Sequence, residues 1–510
     1  MGLRGIPHDD GNLARTFNYS LTGVIIVSND GNAIDCTDFV VELNIYEDIY
    51  KNAVTGTLIM LDPTNLIATL PLQGTERLMF KLGTPGTKGN SNLVVDATET
   101  TGHPFHIYKL TDRTQIKESV ESYVLHFCSR EMFRNLRTRE SKAYNGNLDT
   151  SAMSIFANKS ALDGRKQLKV EPTRNQDKFV MPNIRPFDAI NMLASKALSK
   201  NGKSAGYLFY ETTKAFYFRS IENMFATLSV FPRDEEVELS FSPKNVGAGS
   251  GTNNYSLEAN QHDVSSYEFV QHYDTAANQA LGTYASNIIL HNIYDKSYTK
   301  TSFNFHDHYA DEYHADKTGD RGSQFNYPVS RTPIDVDELA ISDYSDSHIA
   351  LQPTTRFLHN ENTGMFGTSI DGEGLTEAKR ISRKNQTEYS NILRIEIPGH
   401  SYLEAGDIIK FNLPSQEPKE KKVIQTGKLD DDYHSGRYLI SKIRHQVVQK
   451  GYMMILECVK DSVATKYPEE DKFPGVVKNQ VNLIDLYEDE KDRTAETKVV
   501  KPDFNRRYGL

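Results

Sequence analysis

The stretch FVVELNI (residues 39–45) decides the fold class of this 510-residue chain, because apolar side chains occupy every second position in it. Such a period of two is typical of a half-buried β-strand. RLMFKL (77–82) alternates in the same way, and LTGVIIV (21–27) is a third apolar run that ends before the hairpin-type turn at 29–31. We therefore predict an antiparallel β domain over residues 1–134.

Residues 135–228 have a different character. Pro186 suits the first position of a helix, apolar residues follow it at helical spacing, and Asn201-Gly202 ends the run. Two short apolar stretches, 207–210 and 215–219, then indicate a hairpin. This part of the chain is predicted to be a small α+β domain.

The β pattern returns from about residue 229. Residues 291–384 interrupt it with a polar, turn-rich sequence that we interpret as a long insertion. Residues 466–510 are highly charged, with too few apolar residues to pack a core, and we expect an extended segment docked on another surface. The predicted domains are 1–134 (first β domain), 135–228 (α+β domain), 229–290 with 385–465 (second β domain), 291–384 (insertion) and 466–510 (tail).

Composition limits the possible function classes. Asp and Glu outnumber Lys and Arg, 68 to 58, giving a formal net charge of −10, whereas a general nucleic-acid binder carries the opposite sign. No apolar stretch of about 18 residues is present, and the first residues lack the apolar segment of a secretory signal peptide. Cys36, Cys128 and Cys458 are too widely spaced for a disulfide framework and are expected to be buried free thiols. These features predict a multidomain, soluble, cytosol-made protein.

Two parts of the chain share residue types at the same offsets. Asp48 precedes Gly56 by eight residues, and Asp274 precedes Gly282 by eight residues. Glu76 and Asp407 each begin a matching alternation, Glu-x-Leu-x-Phe-x-Leu and Asp-x-Ile-x-Phe-x-Leu. We predict that these six residues mark structural repeat positions in two copies of one β unit. Three chains would then present six similar units around an axis.

No catalytic constellation is found. The stretch GTPGTKG (83–89) lacks the glycine-to-lysine spacing of a phosphate loop and is predicted to be a turn, and GAGSG (247–251) is predicted to be a linker. His306, His308 and His314 lie among carboxylates, but their spacing matches no zinc motif, so we predict a solvated loop with separated, partly exposed rings. Metal, cofactor and enzymatic activity are not expected.

Five further stretches are informative: IYEDIYKNAVTGTLIMLDPTNLIATLPLQGTERLMF (45–80), MPNIRPFDAINMLASKA (181–197), GYLFYETTKAFYFRSIENM (206–224), IPGHSYLEAGDIIKFNLP (397–414) and SGRYLISKIRHQVVQKGYMMILECVKD (435–461). They resemble the central baseplate hub protein of contractile-tailed bacteriophages. The last two of these stretches also resemble the hub part of type VI secretion spikes.

The resemblance implies a mainly β chain with two similar antiparallel, tube-type β-barrels and a smaller α+β domain. Members of this family are homotrimers whose six barrels form a pseudo-sixfold ring. Such a ring joins the sixfold tail tube to the threefold cell-puncturing spike and surrounds part of the central channel. The implied partners are further copies of the chain, tube or tube-initiator protein, spike protein and other baseplate proteins, with transient passage of DNA or a tape-measure protein. The implied location is the virion, after assembly in the host cytoplasm.

Two other hypotheses concern the insertion at 291–384. Its histidines motivate a hydrolase or metal-dependent activity, and the 27 tyrosines of the chain motivate receptor or glycan binding. For the hub hypothesis itself, a channel wall that binds phosphate would stall DNA passage. We therefore expect a neutral or acidic channel wall, with most Lys and Arg on outer faces and subunit contacts.

Overall fold

The computed structural model shows a mainly β protein. It describes residues 17–84, 93–118, 120–174, 176–200, 205–226, 237–241, 262–291, 296, 298–316, 327–331, 333, 339–353, 373–415, 431 and 433–463. The predicted linker at 247–251, most of the 83–89 turn and the tail at 466–510 lie outside the described residues. In the part of the chain that is described, no helix is long and apolar enough to cross a membrane.

The first β segment begins the large sheet. The burial of residues along its strands alternates as predicted. In the strand Thr55–Asp62, every second residue from Gly56 to Asp62 is buried. The elements are β1 (Ser20–Val27), β2 (Ala33–Asp35), β3 (Val40–Asp48), β4 (Thr55–Asp62), α1 (Leu66–Thr69), β5 (Arg77–Gly83), β6 (Leu93–Asp96), β7 (Phe105–Lys117) and β8 (Val120–Cys128). The spatial order is β3-β4-β8-β7-β5-β1-β2.

The second β segment continues the same sheet, because its strand at 436–448 pairs with β3. Its spatial order is β15-β19-β22-β21, with β20 on β21 and β14 on β20. The elements are β14 (Val237–Ser240), β15 (Ser266–Gln271), β19 (Asn391–Pro398), β20 (Ile408–Asn412), β21 (Gly436–Val448) and β22 (Gly451–Lys460). Apolar side chains of both segments share one core.

Five strands of each segment form runs with the same topology. In chain order the runs are β3, β4, β5, β7, β8 and β15, β19, β20, β21, β22, and in both the spatial order is first, second, fifth, fourth, third. An irregularity occurs at the same place in the two fourth strands, directly after Ile107 in β7 and directly after Ile440 in β21. We call these the first run and the second run.

Neither run is a closed barrel in the described residues. The strand order of the large sheet is open. Ser240 of β14, the strand beside β20, and Asp263, shortly before β15, form one parallel bridge rather than a ladder. The mainly β class is established, but two barrels are not shown. The first run also carries β1 antiparallel to β5, whereas the second carries β14 parallel to β20.

The α+β module (residues 130–226, without 175 and 201–204) follows the first run and has its own aromatic-rich core. Pro186 begins its longest helix, as predicted. Its elements are α2 (Arg130–Arg137), β9 (Ala143–Asn147), α3 (Leu148–Phe156), β10 (Leu168–Val170), β11 (Gln176–Val180), α4 (Pro186–Lys196), β12 (Tyr207–Glu211), β13 (Phe216–Ser220) and α5 (Ile221–Phe225). They form two small sheets, β10-β13-β12 and β11-β9.

An inserted module separates β15 from β19. The predicted start of the insertion is residue 291, but the strand at 285–291 pairs with the next two strands of the module and not with the large sheet. Apolar alternation reveals a strand without revealing its sheet, so the boundary requires correction. The module contains α6 (Thr275–Ala280), β16 (Ala285–His291), β17 (Tyr298–Asn304), α7 (Phe305–His308), β18 (Ile349–Pro353) and α8 (Glu373–Glu388).

Candidate assembly interface

The two runs are joined by a ladder that we call the seam, in which β21 (442–448) pairs with β3 (42–48). Lys442 lies opposite Asp48 and Val448 lies opposite Glu42 at the two ends of this antiparallel ladder. Arg444 donates to Asn44 Oδ1 (2.9 Å) and to Glu42 Oε1 (3.2 Å) across it. The seam therefore fixes the relative register of two similar β units within one chain.

Glu47 is the buried polar centre of the seam. Its Oε1 accepts a hydrogen bond from the backbone N–H of Thr213 (2.7 Å), and its Oε2 accepts one from that of Ala405 (2.8 Å). Nε2 of His445, on β21, lies 3.5 Å from Oε1, and Nδ1 of His445 is bonded to the hydroxyl of Tyr452 (2.7 Å). Glu47 thus ties together β3, β21, the α+β module and the turn before β20.

The electrostatics of Glu47 follow from these contacts. Burial by itself would raise the pKa of the carboxyl. His445 and the two backbone N–H groups favour the charged form more strongly and hold the pKa at about 2. Neither residue was identified from the sequence, although each stands on a strand face that is otherwise apolar. Glu47 follows Leu43 and Ile45 on β3, and His445 lies between Ile443 and Val447 on β21.

The edges equivalent to the seam carry no partner strand among the described residues. β7 corresponds to β21; its first residues pair with β5 at Arg77 and Leu78, but from Lys109 to Lys117 the side away from β8 has no strand beside it. β15 corresponds to β3 and pairs with β19 only. An exposed strand edge is a template for pairing with another chain.

Glu76 and Asp407 occupy equivalent places in the two runs. Both side chains are buried, and each accepts a backbone N–H from the turn before its strand: Gln73 N to Glu76 Oε1 at 2.6 Å, and Glu404 N to Asp407 Oδ2 at 3.2 Å. A glycine with positive φ stands in each turn, Gly74 and Gly406. The two carboxylates close comparable turns.

The other proposed repeat pair does not occupy equivalent positions. Gly56 lies in β4 opposite Phe127, and Leu393 lies in β19 opposite Cys458. When the two runs are aligned by their strand pairing, Leu393 is the residue equivalent to Gly56. Gly282 instead ends α6 with φ +80°. The shared spacing arises from two unlike turns, so the match of Gly56 with Gly282 is a coincidence of turn chemistry.

The aspartates that precede these glycines also differ in their surroundings. Asp48 ends β3 and accepts the N–H of Tyr50 (2.9 Å). Asp274 caps α6 by accepting the N–H of Ala277 (2.8 Å). Asp48 is the last residue of the first strand of its run and Asp274 comes shortly after the equivalent strand, but a tight connection follows Asp48 and the inserted module follows Asp274.

The three histidines of the insertion are not a solvated cluster. His306 is buried, with Nδ1 bonded to Ser342 Oγ (2.8 Å) and Nε2 to the carbonyl of Val329 (3.1 Å). His314 is buried against Asp461 Oδ2 (2.8 Å). His308 is partly exposed and stacks on Phe303. The expectation of partly exposed rings is therefore wrong for His306 and His314, whose ring nitrogens are bonded to other groups of the protein.

No metal-ligating group of three or more His, Cys, Asp or Glu occurs among the described residues. The three cysteines are buried and unpaired, as expected. Burial raises the pKa of Cys36 and Cys128 to about 12, so these thiols are not activated nucleophiles.

Comparison with known proteins gives a named relative. The chain is 20% identical over 440 residues to a probable baseplate hub protein of Vibrio phage KVP40, covering 83% of this chain and 90% of the relative. No protein-family model matches the chain. The resemblance to baseplate hub proteins that the sequence indicated is thus confirmed by a relative bearing that name.

Solved structures of tail proteins are also similar. A 43 kDa tail protein of a Shewanella oneidensis prophage matches 88% of this chain and 100% of its own, at 8% identity and a TM-score of 0.46. A tail protein from Neisseria meningitidis matches 88% of this chain and 99% of its own, at 9% identity and a TM-score of 0.45. With TM-scores below 0.5, these structures do not by themselves establish a shared fold.

Proposed function

We propose that this chain is a structural hub of a phage tail baseplate. The observation that carries the proposal is the seam, in which two β runs of equal topology are joined side by side within one chain. The relative that is named a probable baseplate hub protein supports the same function, because the match covers 83% of this chain and 90% of the relative. A hub of this kind acts by geometry and needs no catalytic group.

The seam provides a template for contacts between copies. β21 meets β3 through the part of β21 that extends beyond β20, and β7 extends beyond β5 in the same way. In the proposal, the free edge of β7 pairs with β15 of the next copy in the geometry of the seam. This contact is heterologous, so it closes a ring if the rotation between copies permits.

The internal equivalences also predict the register of that contact. Gly56 of β4 and Leu393 of β19 are equivalent, so the residues before them, Thr55 and Ile392, are equivalent as well. Tyr46 of β3 lies opposite Thr55 and Gln271 of β15 lies opposite Ile392, so Tyr46 and Gln271 are also equivalent. In the seam, Arg444 lies opposite Tyr46. Thr111 is the equivalent of Arg444, so Thr111 of one copy should lie opposite Gln271 of the next.

Further along the proposed contact, both strands have a register shift, after Thr111 in β7 and before Gln271 in β15. Gln446 lies opposite Asn44 in the seam. Their equivalents are Thr114 of β7, which lies opposite Ser122, and Glu268 of β15, which lies opposite Arg394. In the proposal, Thr114 of one copy therefore lies opposite Glu268 of the next.

Three copies would give six similar runs around one axis. Such a ring can meet a sixfold tail tube on one side and a threefold spike on the other, which places the chain in the virion as a symmetry adaptor. Its partners in this proposal are tube, spike and other baseplate proteins, with a neutral or acidic channel wall through which DNA or a tape-measure protein passes. The proposed parts of the chain are the two runs, the α+β module, the inserted module and the tail.

Electron microscopy of the purified chain, with its mass measured by light scattering, tests the proposal. We expect particles of three copies with a central opening and six similar densities around it. A protein that stays monomeric both alone and within assembled tail particles would contradict the proposal.

A further inference from the structure

The charges of this acidic chain are strongly segregated. Residues 130–226 contain 17 Lys and Arg and nine Asp and Glu, a net charge of +8, whereas the whole chain carries −10. The remainder of the chain therefore carries −18. A local surplus of this size shapes the surface potential and attracts partners of the opposite sign.

Burial increases the imbalance at the surface of the α+β module. Five of its nine carboxylates are buried: Glu131, Glu140, Glu171, Glu211 and Glu222. Of its basic residues, Lys166 and Arg219 are buried. The described part of the module therefore presents 14 cationic side chains at its surface and four carboxylates. The surplus faces solvent, where it is available to a partner.

Two neighbouring segments concentrate this charge in what we call the basic patch: Arg139, Lys142 and Arg185, with Val180 beside them. A bridge joins Glu140 to Ile184, and the N–H of Met181 donates to the carbonyl of Lys142 (3.0 Å), so the segments run side by side. All four patch side chains are exposed, Val180 by 68%. Their charge and apolar surface are therefore presented together.

The carboxylate within these segments does not neutralise the patch. Glu140 points inward, accepting hydrogen bonds from the hydroxyl of Tyr144 (2.6 Å) and the amide of Asn158 (2.9 Å). Arg139 donates to a backbone carbonyl, that of Asn183 (3.1 Å). Among the described residues, no ion pair involves Arg139, Lys142 or Arg185 at salt-bridge distance.

The surroundings favour a protein over a nucleic acid as the partner. Single-stranded nucleic acids are held by exposed aromatic rings as well as by cations. In the described part of the module the large exposed apolar side chains are Leu136, Met153 and Val180, and no aromatic ring is among them. Arginine, unlike most charged residues, is enriched at protein–protein interfaces. We propose that the basic patch is a docking surface for an acidic, leucine-containing segment of another protein.

Binding of two labelled probes to the full chain tests this proposal without any assumption about the hub function. The probes are a peptide of repeated Glu-Glu-Leu and a 20-base-pair DNA duplex, measured by fluorescence anisotropy at low and moderate salt. The test variant is R139E/K142E/R185E, with R139Q/K142Q/R185Q as a milder form and circular dichroism to verify folding. The matched control is K81E/K300E/K450E, which makes the same charge change at exposed positions outside the module.

We expect the test variant to weaken peptide binding by about tenfold or more at low salt, because each reversal turns an attraction into a repulsion. The control should change it less than about twofold, since its charges lie outside the module that carries the patch. Val180→Ser should weaken peptide binding but leave DNA binding unchanged. Absence of peptide binding, equal effects of test and control variants, or DNA binding that is tighter than peptide binding and insensitive to Val180→Ser would each overturn the proposal.

Discussion

The carbonyl oxygens of Glu76 and Asp407 accept the same hydrogen bond in the two strand runs. The backbone N–H of Ile107 donates to Glu76 at 2.9 Å, and that of Ile440 donates to Asp407 at 2.8 Å. Each bond attaches the start of the third strand of a run to the fourth strand. The two residues are far apart in sequence yet occupy one structural position, so the duplication is present in the backbone hydrogen bonding.

Loss of the Glu47 carboxylate should destabilise the seam. Glu47→Ala leaves the N–H groups of Thr213 and Ala405 without their acceptor and His445 without its anion, at a cost of about 2–4 kcal/mol in the free energy of unfolding. Urea denaturation measures this cost. Glu42→Ala is the control on the same strand; its contacts are partly exposed, so it should cost under about 1 kcal/mol. Equal losses for the two variants would show that Glu47 has no special role.

A side chain at Gly56 should be poorly tolerated. A Cβ there would lie 2.2 Å from the Phe127 ring and 2.5 Å from the carbonyl oxygen of Asn44. The equivalent pair in the second run is Leu393 opposite Cys458, a large and a small residue in exchanged places. Gly56→Ala should cost about 1–3 kcal/mol. In a Phe127→Cys background the cost should fall, and thermal unfolding of the four proteins of the cycle measures the difference.

His106 should make the protein less stable in mild acid. Burial, with Arg130 and Arg77 nearby, lowers the pKa of its imidazole to about 4. The unfolded imidazole binds a proton near pH 6.5, so between pH 6.5 and 4 the unfolded state holds more protons, and stability falls as the pH falls. His106→Asn should remove about 1–3 kcal/mol of this decrease. Denaturation midpoints at pH 7 and pH 4.5 provide the comparison, and an unchanged slope would contradict it.

Asp461 should hold the inserted module in place. Its Oδ2 accepts from Arg383 Nη1 at 2.5 Å and its Oδ1 from the N–H of Ala315 at 2.9 Å, with both charged side chains buried. Asp461→Ala removes the carboxylate nearest to the buried guanidinium and leaves Glu312, whose Oε2 lies 3.7 Å from Nε of Arg383, so we expect a cost of about 2–4 kcal/mol. Limited proteolysis should then cut residues 275–388 first. Glu388→Ala removes an exposed pair with Lys384 and should leave the cleavage pattern unchanged.

The sequence predicted the strands better than it predicted their partners. Alternation located β3, β5 and β20 because a half-buried strand must alternate whatever lies beside it. Residues 285–290 were predicted to belong to the second β domain because an apolar pattern carries no information about sheet membership. The equal spacing of Asp48–Gly56 and Asp274–Gly282 arose from two turns, a strand connection and a helix end, that both use Asp and Gly.

The candidate interface was only partly predictable for the same reason. Glu76 and Asp407 were found because each begins an alternating strand, so local pattern and structural position coincide. Glu47 and His445 meet only through the pairing of two distant strands. A charged or polar residue on an otherwise apolar strand face is the signal that would have indicated both, and it requires knowing which face is buried.

A cysteine pair across the proposed contact between copies tests the hub hypothesis most directly. Antiparallel neighbours have Cα atoms about 4.5–5.5 Å apart, within the range that a disulfide spans. Thr111→Cys with Gln271→Cys places one thiol on β7 and one on β15, and the three native cysteines are buried. Mild oxidation should give covalent dimers and trimers and no larger species on denaturing gels, with neither single variant forming trimers. Failure of the double variant to cross-link in assembled particles, or a ladder extending past three copies, would contradict the closed ring.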